Sequence, residues 1–113
     1  MTSSISSASR RYAGLECPLY PLMSLIARKW ALDVIRHLHE ASEPLRFREL
    51  QRRIQPVVTT KELTARLREL EGAGLVERVV YDEVVPHVEY ALTQRGATLP
   101  PLLQSLAEWS CQE

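Results

Sequence analysis

Between Val58 and Arg78 the sequence VTTKELTARLRELEGAGLVER leaves the backbone few choices. Thr59 and Glu62 have the spacing of a capping box. In such a box the threonine hydroxyl accepts the amide three residues on, and the glutamate accepts the amide of the threonine. Leu63, Leu67 and Leu70 then recur at helical spacing. Gly72 and Gly74 supply the loose or left-handed backbone that ends a helix. Leu75–Tyr81 (LVERVVY) is β-branched and partly alternating, which predicts a strand. Advancing about 100° per residue from Leu63 keeps Leu67 and Leu70 within roughly 40°, and sends Thr64, Arg68, Lys61 and Ala65 to roughly 100°, 140°, 160° and 200°. The outward face of this helix is therefore three hydrogen-bond donors around one small residue.

The flanking sequence completes a recognisable order. Leu19, Leu22, Met23 and Ile26 form one helical stripe, and Trp30, Val34, Ile35 and Leu38 form a second, in a helix running to about His39. Glu40–Leu45 reads as a loop, and Leu45–Phe47 as a very short strand. Glu49–Ile54 is predicted to be a third, short helix that ends before Pro56. Val88–Leu92 (VEYAL) returns antiparallel to Leu75–Tyr81 across a turn at Asp82–His87. Leu99, Leu102, Leu103, Leu106 and Trp109 stripe a last helix, which Pro100 and Pro101 should kink or divide. The fold class is mainly α with a small β-hairpin (α+β): a helix-turn-helix followed by a wing. Residues 1–14 are Ser-rich and predicted to be a disordered tail; residues 15–113 form one domain.

Charge is segregated along the chain. Lys plus Arg equals Asp plus Glu at 14 each, so the net charge is zero. Arg46–Arg68 nevertheless holds seven basic and two acidic residues, a local +5 against −5 elsewhere. Such a division marks a polyanion-facing side on an acidic body. A merely solvated helix face is the competing explanation, but here the basic run coincides with the helix pattern. Lys61, Thr64 and Ala65 are the candidates for base edges, with Thr60 near the cap a further one; Thr59 at the cap belongs to the DNA-binding set, and Arg68 is better placed for phosphate. Arg46, Arg48, Arg52 and Arg53 precede the helix and suit the phosphate backbone. At the wing, Asp82 and Glu83 repel phosphate, which leaves His87 as the candidate contact.

No segment approaches the ~18 apolar residues of a membrane span, and no signal-peptide core is present, so a cytoplasmic location is expected. Two cysteines, Cys17 and Cys111, do not make a secreted disulfide framework. His37 and His39 point to opposite sides of a helix and cannot share a metal ion. No metal or cofactor is expected. An enzyme with Cys17 as nucleophile finds no phosphate loop, carboxylate pair or partner histidine to support it.

Taken together, CPLYPLMSLIARKWALDVIRHL, LRFREL, TTKELTARLRELEGAGLVER and PHVEYALTQRG resemble the HxlR-type winged-helix transcription regulators of bacteria and archaea. The resemblance runs from Cys17 to Trp109. It implies a homodimer on double-stranded operator DNA, one recognition helix per half-site, with the first and last helices forming the dimer interface. Repression by obstructing polymerase is the expected outcome. The chain departs from the family pattern at Arg28, where glycine is usual, at Arg48, where a small helix-capping residue is usual, at His87, where the wing often carries arginine, and in the extra proline Pro100. Cys17 occupies the position of a thiol that some relatives use to sense oxidants or electrophiles, and Cys111 is the expected second thiol. A buried Cys17 and a bystander Cys111 remain the alternative. So do a regulator that answers a small molecule without redox chemistry and a winged helix used only for protein contacts.

Overall fold

The computed structural model describes residues 19–112 except Gln55 and Pro86. Cys17 and the expected N-terminal tail lie outside the described residues. The order is α1 (Leu19–Ile26), α2 (Ala31–Ala41), β1 (Leu45–Arg46), α3 (Phe47–Arg53), α4 (Thr60–Gly72), β2 (Val76–Tyr81), β3 (His87–Leu92), α5 (Gln94–Ala97) and α6 (Leu99–Ser110). This is a winged helix-turn-helix: α3 and α4 are the helix pair, and β2 and β3 form the wing.

Three differences from the sequence expectations have physical causes. Helix α3 begins at Phe47 rather than Glu49, because the Glu49 carboxylate reaches back to accept the Arg46 amide at 2.9 Å. Arginine offers no acceptor in return, so Arg46 caps α3 only through its own amide, and Arg48 lies inside the helix rather than at its cap. The wing hairpin becomes a three-stranded antiparallel sheet of order β1-β3-β2, since Leu45 and Arg46 pair with Tyr90 and Glu89. Trp30 is not part of α2. It precedes the helix in the left-handed region, with φ 77°, where its buried indole holds the corner between α1 and α2.

The expected break in the C-terminal helix occurs at Thr98, which divides α5 from α6. Pro100 and Pro101 then fall in the first turn of α6, where amides have no intrahelical partner to lose. Gly74 ends α4 with φ +78°, the left-handed turn anticipated for it.

The core is continuous. Val34, Ile35 and Leu38 of α2, Leu45 of β1, Leu50 of α3, Leu63, Leu67 and Leu70 of α4, and Val76 of β2 are all buried, as are Ile54, Val58 and Leu75 beside them. The leucine stripe of α4 thus faces inward as a unit, which fixes the rotation of the helix and decides which residues it shows to solvent.

Candidate nucleic-acid interface

Helix α4 is held at both ends. At its start the Thr59 hydroxyl accepts the Glu62 amide at 3.1 Å, and Glu62 Oε1 accepts the Thr59 amide at 3.1 Å. This arrangement lowers the pKa of Glu62, chiefly through the Thr59 amide; the Trp30 indole N–H, turned toward the carboxylate without a well-formed hydrogen bond, adds to it. At its end, Arg95 donates to the Ala73 carbonyl at 2.7 Å and the Thr93 hydroxyl donates to the Gly74 carbonyl at 2.6 Å. The carbonyls left open at the end of a helix are thus satisfied from α5.

With that rotation, Lys61 and Arg68 are exposed, and Thr64 and Ala65 are half-buried between them on the outward side. Arg46, Arg48, Arg52 and Arg53 are exposed along β1 and α3. Arg66, counted in the basic run, is not available to an external anion. Its side chain is only 17% exposed and its Nε lies 3.2 Å from Glu69.

Pairing separates the cations into two groups. Arg28 meets Glu69 at 3.0 Å, Arg36 lies between Asp33 and Glu40, Arg66 meets Glu69, and Arg78 reaches Glu71. Arg48, Arg53, Lys61 and Arg68 have no carboxylate partner among the described residues; Arg52 is engaged within the fold. The two acidic residues of the basic segment, Glu49 and Glu62, are both occupied in capping helices. Arg28, Arg36, Arg66 and Arg78 are thus neutralised, and Lys29 and Arg95 turn to the Trp30 ring and the Ala73 carbonyl, whereas Arg46, Arg48 and Arg53 of β1 and α3 and Lys61 and Arg68 of α4 are left for an external anion.

The wing is arranged differently. His87 stacks on Tyr81 with ring centroids 4.5 Å apart, and its nitrogens lie 3.6 Å from Glu83 and 3.3 Å from Glu89. The Tyr81 pKa is raised, first by its hydrogen bond to Glu89. His87 is thereby folded into an acidic cluster, a poorer phosphate contact than the helix cations.

A second exposed surface is apolar. No residue of α6 is buried, and Leu102 and Trp109 are 64% and 68% exposed. Leu106 of α6 and Tyr20 and Met23 of α1 are exposed as well. A groove of about 700 Å³ runs between α2 and α6, lined in part by Leu32, Ile35, Pro100, Leu103 and Leu106.

The model of the HxlR-like helix-turn-helix family matches residues 25–113. The chain belongs to the HxlR-like helix-turn-helix family. An uncharacterized HTH-type transcriptional regulator of Halalkalibacterium halodurans is 45% identical over 94 residues, which cover 83% of this chain and 81% of that one. The reduced form of the transcriptional regulator YodB from B. subtilis superposes with a TM-score of 0.74 at 35% identity, over 83% of this chain and 90% of that one. The redox regulator HypR in its oxidised form superposes with a TM-score of 0.68 at 39% identity, over 86% and 99%. This HxlR-like chain is thus a winged-helix member of a family of transcription regulators. Among its described residues no helix is long and apolar enough to cross a membrane.

Sequence reasoning missed four residues that contribute to the site. Gln51 of α3 bonds to the start of α4. Lys29, with Nζ 5.1 Å from the Trp30 ring, sits close enough to Glu62 to help lower its pKa. Thr93 and Arg95 close the far end of α4. The sequence signal for the last was present in the Thr-Gln-Arg-Gly run, but what it caps is remote in the chain.

Proposed function

We propose that this protein is a transcriptional repressor that binds operator DNA as a homodimer, inserting α4 of each subunit into the major groove. Lys61, Thr64 and Ala65 face base edges. Arg48, Arg53 and Arg68, assisted by Arg46 and Arg52, meet phosphates. The observation that carries this reading is the pairing pattern: among the described residues Lys61 and Arg68 of α4 and Arg46, Arg48 and Arg53 of β1 and α3 have no carboxylate partner, whereas Arg28, Arg36, Arg66 and Arg78 are each paired. Exposed apolar residues on α1 and α6 support a symmetric dimer through those helices.

The test is fluorescence anisotropy with labelled random duplex DNA over a salt series. Cations from two subunits engaging phosphates should weaken binding by on the order of 10³-fold between about 50 and 200 mM salt. Absence of salt-dependent binding would instead favour a protein-interaction module.

Thiol control of this binding is a second reading. It is supported by the free, exposed Cys111 and by the description of HypR as a redox regulator. It requires Cys17 of one subunit to join the partner subunit's Cys111 in a disulfide, each thiol losing one electron and one proton to an oxidant such as diamide. Mass spectrometry after diamide treatment under nonreducing conditions tests it: only free thiols and unchanged DNA affinity would discard it.

A further inference from the structure

Gln51 lies in α3, half-buried behind the turn that leads into α4. Its Nε2 is 3.1 Å from the carbonyl oxygen of Val58 and 3.3 Å from the hydroxyl oxygen of Thr60. A backbone carbonyl only accepts, so the amide end that faces Val58 must be the NH₂. An amide nitrogen has no lone pair to offer, so it can only donate to Thr60 as well. Both protons of the Gln51 NH₂ are thereby assigned, one to each oxygen.

The consequence falls on Thr60. Its oxygen already accepts from Gln51, and the structure gives its own proton no acceptor among the described residues. Thr60 is exposed at the first position of α4, beside the unpaired Lys61. A threonine hydroxyl ordinarily donates or accepts as the partner requires. Here one of its two lone pairs is held by Gln51 on the inner side, and its single proton is left to point outward.

We infer that Gln51 is a positioning residue that presents the Thr60 hydroxyl as an outward donor to an acceptor atom of the duplex. The inference rests on the DNA-binding reading above and specifies the polarity of one contact within it. Suitable acceptors are a phosphate oxygen or, on the major-groove edge, N7 and O6 of guanine, N7 of adenine and O4 of thymine; the exocyclic amine of cytosine is disfavoured, since it could meet only the second lone pair and would leave the outward proton unused.

Selection of bound duplexes from a random pool gives the reference motif for the wild-type protein. Anisotropy on that motif, on single-position variants of it and on random duplex then compares Thr60→Val, Thr60→Ser, Gln51→Met and the double variant Gln51→Met/Thr60→Val. If the acceptor is a base, Thr60→Val should lose about tenfold discrimination at one position per half-site, a position where the wild type prefers an acceptor-bearing base over cytosine. If it is a phosphate, Thr60→Val should weaken motif and random duplex by the same factor. In both cases Thr60→Ser retains wild-type behaviour, Gln51→Met reproduces the loss, and the double variant is no worse than Thr60→Val.

Thr60→Val binding like the wild type on all duplexes would overturn the inference and leave the DNA-binding reading intact. So would a Gln51→Met protein that melts earlier yet keeps wild-type affinity and preference. A wild-type protein that enriches no motif and binds no duplex would instead remove the underlying reading.

Discussion

The hydroxyl of Thr93 donates to the carbonyl of Gly74 at 2.6 Å and accepts the amide of Gly96 at 2.9 Å. One side chain therefore caps α5 and holds the turn that ends α4. The Thr93 amide adds a third tie, to the Leu75 carbonyl at 3.0 Å. The backbones approach so closely that a Cβ at Gly96 would overlap the Leu75 carbonyl oxygen. Gly96→Ala should accordingly cost about 3 kcal/mol, read as a lowered urea midpoint, because backbone rather than a flexible side chain must move. Gly72→Ala should not destabilise the fold, since nothing lies within 4 Å of the added atom.

The capping box sets a pH dependence at the other end of α4. Glu62 has a lowered folded pKa, from the Thr59 amide first. Its contribution to stability is therefore present above the ordinary glutamate pKa and lost as pH falls through the lowered folded value. Thr59→Ala should cost about 1 kcal/mol near neutral pH. Thermal melts of wild type and Glu62→Gln should converge on acidification, while much of the Thr59→Ala gap persists because alanine keeps the amide that Glu62 accepts. A gap between wild type and Glu62→Gln that stays constant down to strongly acidic pH would remove the Glu62 charge from the explanation.

Base-edge and phosphate residues should separate by behaviour. Lys61→Ala and Thr64→Ala should each reduce discrimination between selected and random duplex by about 1–3 kcal/mol. Arg48→Ala or Arg53→Ala should weaken both duplexes alike and lower the salt slope by about 1 per site lost. An unchanged specificity ratio for Lys61→Ala and Thr64→Ala would mean that a different face of α4 meets the DNA.

The apolar faces of α1 and α6 make the dimer testable without DNA. Leu102→Glu places a carboxylate on an exposed apolar surface, so the isolated fold should tolerate it, whereas a symmetric interface would bury it twice. Analytical ultracentrifugation should show a monomer for Leu102→Glu and a dimer for the wild type. A Leu102→Glu protein that still sediments as a dimer would move the interface elsewhere.

Helix α4 was legible before any coordinates. Its cap, its leucine stripe and its glycine stop act over one to four residues, so their spacing carries the information directly. The outward positions of Lys61 and Arg68 followed from the same periodicity. The α3 start was displaced by two residues because Glu49 reaches back to Arg46, a cap that lacks the usual acceptor residue. The small strand at Leu45 was visible, but its partner was not: pairing with Tyr90 spans nearly half the chain.

Sequence by itself determined the helices, the turn between them, the wing and the location of the basic run, because each rests on contacts between near neighbours. Tertiary structure decided which of those charges remain available. Arg28 finds Glu69 across 41 residues, Arg95 finds Ala73 across 22, and Gln51 finds Thr60 across the helix-turn-helix corner. Local spacing pairs Arg36 with Asp33 and Glu40 and Arg66 with Glu69, but the partners of Arg28, Arg78, Arg95 and Gln51 come from other elements, and where those come to rest is set by the packing of the whole core.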